Sequence, residues 1–494
     1  MNILVVSESF NVGGLETHIN TYYKALKDKV NFVFAFPKYT DKGYLEKAKI
    51  YTGFNFSYNA SIEDFCNDVH KLVDIIKKEK IDVVHVHPFY SIYAPIFAAN
   101  LTNTKLVYTY HGYGSISFPV GINDMLLFMF ALESRFNKIF CVSSNVIEYF
   151  NTIHNHNAMF LPNLIYEDDF PVHQVSKNKK WAIISRIDSD KYQSIIKFLD
   201  MINYFDISLV DIYGSGNMED ELKKHISKNK LTKKVHLKGF INNLNENLTD
   251  YTGVIGLGRV VQEALCMNYP VIFIGYGKVA GVLDKTIYDK VKNINFVPST
   301  LDDIDISKLQ EQINEINNGK LSKYQFRNKV ISDFGISNTS KYVKELESII
   351  PESIEVLNKI FYDIDDIGDK SACFYNSKSV FNVIYNRLSA YSKNIYFKNL
   401  LSVNLRYFLL KDDIDSNYMQ ISNNVAELKK IKEDFRNNMN NSLSDTLLSI
   451  NKKIDELMNQ NQLLNEELVN YKKGKLYKVS TKIYSWKSKF RRKK

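Results

Sequence analysis

Through its first 165 residues the chain repeats one pattern: a short apolar run, a polar or glycine turn, then a stretch with helical spacing. Ile3 to Val6, Phe32 to Phe36, Val83 to Val86, Leu106 to Tyr110, Ile139 to Val142 and Met159 to Leu161 are predicted strands, rich in Val, Ile and Phe. Apolar runs separated by helices indicate parallel strands covered on both faces. A polar segment, Val172 to Lys180, interrupts the pattern and reads as a linker. The alternation resumes with Trp181 to Ile184, Ser208 to Tyr213, Val235 to Gly239, Gly253 to Leu257, Val271 to Ile274 and Asn295 to Val297. Two tandem doubly wound, Rossmann-like α/β domains are expected, residues 1–171 and 172–350, with ligands in the cleft outside the carboxyl ends of the strands.

Beyond Pro351 the alternation stops, and residues 351–415 read as a helical connector. Residues 416–472 read as a coiled coil: Leu447, Ile454, Asn461 and Leu468 take position a, with Ile450, Leu457, Leu464 and Tyr471 at d. Leucine at d with one Asn at a favours a parallel two-stranded coil, hence a homodimer. In the basic tail, residues 473–494, Leu476, Val479, Ile483, Trp486 and Phe490 recur at spacings of 3 and 4 and share one helical face. Aromatic apolar positions flanked by cations predict a helix lying in the plane of an anionic membrane surface.

Composition locates the charge. The chain has 494 residues, 45% hydrophobic and 24% charged, which excludes global disorder and a polytopic membrane protein. Residues 472–494 hold eleven of the 64 basic residues and no acidic one; the other 53 face 55 acidic residues, so the body carries a formal −2 and the whole chain +9. The anionic partner is expected to be a membrane met by the tail, not a nucleic acid. Four scattered cysteines, at 66, 141, 266 and 373, point to a reducing compartment, and no apolar run spans a bilayer. The expected location is cytoplasmic, peripheral to the inner face of the membrane.

Candidate chemistry lies at predicted strand ends. Gly13 and Gly14 open a helix after the first strand, where backbone N–H groups favour an anion; the spacing is not that of a dinucleotide fingerprint. His85 and His87 end one strand and His111 follows another; His-x-His supplies only two ligands on one face, too few for zinc. Arg186 and Lys191 bracket a loop after Ile184, a fork and a point charge suited to a diphosphate, and their charges compete with any cation at Asp188 and Asp190. Gly214 lies in a Gly-Ser-Gly turn, and Gly258, Arg259 and Glu263 form a glycine turn entering a helix. No metal is expected.

The order of these motifs resembles the GT-B glycosyltransferases of retaining family 4: Gly13-Gly14-Leu15-Glu16, Asp82 to His87, Tyr110-His111-Gly112, Val142-Ser143-Ser144, Pro162-Asn163, Ser185 to Lys191, Tyr213 to Gly216 and Glu263-Ala264-Leu265. The resemblance covers about 340 residues and implies a GT-B fold with a helical and coiled-coil extension. It implies Arg186 and Lys191 on the donor diphosphate, Glu263 at the nucleotide ribose, Gly13 and Gly14 facing the phosphates, and His111 at the reacting centre. Gly214, Gly258 and Arg259 join the donor site. The expected reaction moves a sugar from a nucleotide sugar, a UDP-sugar, to a hydroxyl of a lipid-linked or cell-envelope glycan with retention and without a metal. The first Glu of the family's two-Glu motif is replaced by Ile255, which keeps open a non-catalytic partner subunit. A sugar-nucleotide epimerase on the same fold is a third reading, but it gives the basic tail no role.

Overall fold

The computed structural model describes residues 1–368 apart from 11–12, 41–42, 58–59, 89, 113–134, 154–156 and 242–243. All described residues belong to one structural unit. The expected coiled coil and basic tail, and the connector beyond residue 368, lie outside them.

Seven strands form the first sheet: β1 (Asn2–Val6), β2 (Asn31–Ala35), β3 (Lys49–Tyr51), β4 (Val83–Val86), β5 (Lys105–Tyr110), β6 (Lys138–Cys141) and β7 (Met159–Phe160). Their order is β3-β2-β1-β4-β5-β6-β7, all parallel. The second sheet holds β8 (Lys180–Ile184), β9 (Leu209–Tyr213), β10 (Val235–Gly239), β11 (Gly253–Gly256), β12 (Val271–Gly275) and β13 (Lys278–Val282), ordered β10-β9-β8-β11-β12-β13. Both are doubly wound, with the strand order reversing between β1 and β4 and between β8 and β11. Such switch points open a crevice at the strands' carboxyl ends. The turns after these four strands carry Gly13, His87, Arg186 and Gly258 respectively.

The central strands are apolar because both faces are covered: Ile3, Leu4 and Val6, and Val83, Val84 and Val86, are fully buried. Local signals set the helix starts, as where Ser61 and Asp64 form a reciprocal capping box opening the helix Ile62–Lys78. After the second sheet the chain returns to the first. The helix Thr339–Glu347 delivers Tyr342 and Leu346 into the core of Val5, Phe34, Val107 and Phe140. The helix Glu355–Gly368 follows, and Asn358 accepts a hydrogen bond from Asn100 at 2.7 Å.

Three details depart from the expected elements. Asn295 to Val297 is not a strand: Asn295 and Phe296 have φ of 58° and 50°, left-handed values that no strand continues through. The Phe296 carbonyl instead accepts from Gly258 N–H at 2.8 Å, so this segment backs a glycine of the candidate site. Strands β3 and β13 were not expected. β13 runs antiparallel to β12 through the two-residue turn Tyr276-Gly277, whose φ values of 49° and 75° are those a tight hairpin needs. β3 is a three-residue edge strand, too short to show a pattern.

Candidate functional site

Strand register builds the first half of the site. β4 and β5 pair with His85 opposite Val107, and side chains two apart share a face, so His85, His87, Thr109 and His111 come to one side of the sheet. His87 Nδ1 and His111 Nε2 are 2.8 Å apart, and His85 stacks on His87 with centroids at 4.4 Å. His85 is held at both nitrogens, by Tyr342 Oη and Thr109 Oγ1, each at 2.7 Å. His18, from the helix Gly14–Leu26, meets His111 edge-on at 4.9 Å. Its Nδ1 donates to Asn163 Oδ1 at 2.9 Å.

Burial keeps these rings neutral. Desolvation pushes His18 down to about 4 and His85 to about 3, and holds His87 and His111 well below the ordinary histidine value. The cluster therefore offers hydrogen bonds rather than charge. Among the described residues no group of three or more His, Cys, Asp or Glu is arranged to hold a metal ion.

The second half centres on the helix Arg259–Cys266, which Gly258 enters with φ of 67°. Arg259 Nε donates to Glu263 Oε1 at 2.8 Å, a pair one turn apart whose side chains are only 14% and 11% exposed. Burial raises the Glu263 carboxyl and the Arg259 guanidinium opposes that rise. Arg259 Nη2 reaches Thr21 Oγ1 of the first domain at 3.1 Å. Its Nη1 is buried without a partner among the described residues. Asn163 also joins the halves: its Nδ2 donates to Asn295 Oδ1 at 2.9 Å, and its carbonyl accepts from Gln262 Nε2 at 3.3 Å. Gly13, Gly14, His111, Gly258, Arg259 and Glu263 are thus carried by segments that these bonds connect.

Arg186 and Lys191 stand apart from that network. Arg186 is exposed and pairs with Asp188 at 3.1 Å; Lys191 pairs with Asp190 and lies 4.1 Å over the Tyr276 ring. Gly214, with φ of 143°, serves their loop: a Cβ there would lie 1.9 Å from the Ser185 carbonyl oxygen. Ser185 N–H donates to Tyr213 and Ile187 N–H to Ser215, so the glycine turn clamps the cationic loop by its backbone. Ile255 is fully buried in β11, paired with Ile183 and Ile272, and no carboxylate replaces it at that position.

Sequence reasoning missed His18, Thr21, Asn163 as a bridge, Gln262, Asn295 and Tyr342. Thr17, His18 and Thr21 recur at spacings of one and three on the helix after Gly14, a run of small polar and ring side chains near a glycine-opened helix start that could have been read as facing a site.

Residues 12–167 match Glycosyltransferase Family 4. Solved structures with the same fold include a glycosyltransferase from Rickettsia africae (18% identity, covering 70% of this chain and 98% of that one, TM-score 0.54). HepE from Anabaena, in complex with UDP and glucose, aligns at 16% identity over 70% of this chain and 99% of that one, with TM-score 0.53. TarM of S. aureus, as a variant in complex with fondaparinux, α-GlcNAc-glycerol and UDP, aligns at 12% identity over 70% and 99%, with TM-score 0.51. No curated protein shows significant similarity to the chain. Residues 12–167 are thus similar to glycosyltransferase family 4, and the described body, with its two parallel-sheet α/β domains, has the GT-B fold.

Proposed function

We propose that this protein transfers a sugar from a nucleotide sugar, a UDP-sugar, to a hydroxyl of a lipid-linked or cell-envelope glycan, with retention and without a metal. The observation that carries the reading is the buried Arg259–Glu263 pair at a glycine-opened helix start, tied to Thr21 within the glycine-opened helix Gly14–Leu26 of the first domain. Each sheet's switch point carries a glycine-opened helix N-terminus, and Arg259 adds a guanidinium, groups suited to a diphosphate. The structural neighbours HepE and TarM, bound to UDP, support the same donor class.

In this reading the bond between the anomeric carbon and the phosphate oxygen breaks, and its electron pair leaves with the nucleoside diphosphate. Arg186, Lys191 and Arg259 neutralise the developing charge, where fixed cations lower a barrier most. The acceptor oxygen bonds to the anomeric carbon and its proton passes to the departing phosphate oxygen. Glu263 holds the ribose and orients Arg259, and neutral His111 hydrogen-bonds the donor sugar or the acceptor hydroxyl. Gly13, Gly14 and Gly258 let backbone approach the phosphates, and Gly214 supports the Arg186 loop. The tail holds this body at an anionic membrane surface and the coiled coil pairs two copies.

Ile255 favours a second reading, a non-catalytic GT-B subunit that binds glycan and stabilises an active transferase. A panel of UDP-, GDP- and TDP-sugars, assayed for nucleoside diphosphate release with and without glycan acceptors, separates the two. Release from a UDP-sugar, with the product's anomeric configuration retained by NMR, supports transfer; donor binding without turnover supports the subunit.

A further inference from the structure

We infer that His87 is a positioning residue for His111: it fixes which ring nitrogen of His111 carries the proton and holds that ring in place. The inference rests on the proposed transferase reading, in which His111 touches the reacting groups. His87 Nδ1 and His111 Nε2 share one hydrogen bond of 2.8 Å. His87 is buried and His111 half-buried, and desolvation keeps both neutral, so each carries a single N–H and only one supplies the shared proton. Fixing the tautomer of one ring therefore fixes the tautomer of the other.

The surroundings show that this is a built arrangement. His87 is 2% exposed, and its ring is backed by His85 at 4.4 Å, which Tyr342 and Thr109 anchor at both nitrogens. Tyr342 arrives from the returning helix Thr339–Glu347, 257 residues beyond His85. On its other side His111 meets the edge of His18, itself pinned by Asn163. An apolar side chain at position 87 would be cheaper to bury, since a polar group taken from water needs a compensating hydrogen bond. The bond to His111 supplies that compensation and orients a ring at the mouth of the crevice. His87 works through His111 and makes no contact with substrate in this scheme.

The test compares His87→Leu, which keeps bulk but loses the bond, with His87→Asn, which keeps a hydrogen-bonding group near the Nδ1 position, beside His111→Ala. Each full-length variant is assayed by nucleoside diphosphate release from the UDP-sugar that turns over best, and for UDP affinity by calorimetry. Positioning predicts that His87→Leu loses tenfold or more in kcat, with donor KM and UDP affinity within twofold, and that His87→Asn recovers to within threefold of wild type. Wild-type kcat in His87→Leu, alongside a damaged His111→Ala, overturns the inference and spares the transferase reading. Equal losses in the Leu and Asn variants also overturn it, since a purely structural ring has no reason to be rescued. Wild-type kcat in His111→Ala, or no turnover of any donor, instead overturns the reading on which the inference stands.

Discussion

Gly214 and Ser185 approach so closely that any Cβ at position 214 would sit 1.9 Å from the Ser185 carbonyl oxygen. The two residues lie at the carboxyl ends of neighbouring strands, β9 and β8, and Ser185 immediately precedes Arg186. Gly214→Ala is expected to destabilise the protein by about 3 kcal/mol or more, because the backbone clash adds to an unfavourable φ of 143°. Thermal unfolding measures that loss, and UDP affinity measured well below the melting transition should fall as the Arg186 loop is displaced.

Arg186→Ala separates function from stability, and Lys191→Ala tests the same diphosphate role. The Arg186 side chain is 75% exposed, and an exposed ion pair contributes about 0 to 1 kcal/mol, so its loss should barely move the melting temperature. Turnover should nevertheless fall about a hundredfold or more, the scale for removing a group that stabilises charge in the transition state. Unchanged nucleoside diphosphate release in both variants would sink the diphosphate role.

Breaking the Arg259–Glu263 pair should do the reverse of the Arg186 change and damage stability first. Glu263→Ala leaves a guanidinium buried beside Thr21 with its main partner removed, a type of loss that costs about 3 to 5 kcal/mol. Denaturant unfolding of this variant and of the double change Arg259→Leu with Glu263→Leu checks the point, since removing both charges should cost less than removing one.

The histidine cluster sets an acid limit. His18 titrates near 4 when folded and near 6.5 when unfolded, so between these values the unfolded chain binds more protons and stability rises with pH. The contribution is complete above about pH 6.5 and is lost as pH falls towards 4, roughly 3 kcal/mol for His18 alone. Melting temperatures recorded from pH 7 to pH 4.5 should drop steeply in the wild type. His18→Phe should flatten the slope, and a parallel slope in that variant would remove His18 from the account.

The basic tail makes a prediction about location. Deleting residues 473–494 should abolish sedimentation with phosphatidylserine vesicles, while nucleoside diphosphate release from soluble substrates stays within twofold of wild type. Raising salt should release the intact protein as well, because screening shortens the reach of surface charge. Vesicle binding that survives the deletion would refute the anchor.

Local pattern determined the doubly wound architecture: strands buried on both faces leave continuous apolar runs, and eleven of the twelve expected runs coincide with strands within a residue at either end. Position at strand ends was likewise legible for His111, Arg186 and Gly258, because a run's end shows in the sequence. What local pattern does not carry is pairing. The β13 run, Lys278 to Val282, is too mixed to read as a strand, and Asn295 and Phe296 look like strand residues but take left-handed backbone to support Gly258. Only the fold brings His18 to Asn163 across 145 residues and His85 to Tyr342 across 257. Hydrogen bonds at such separations depend on strand order and on the chain's return to the first sheet. The sequence thus determined which residues could carry chemistry, and tertiary structure decided which would be neutral, buried and bonded to one another.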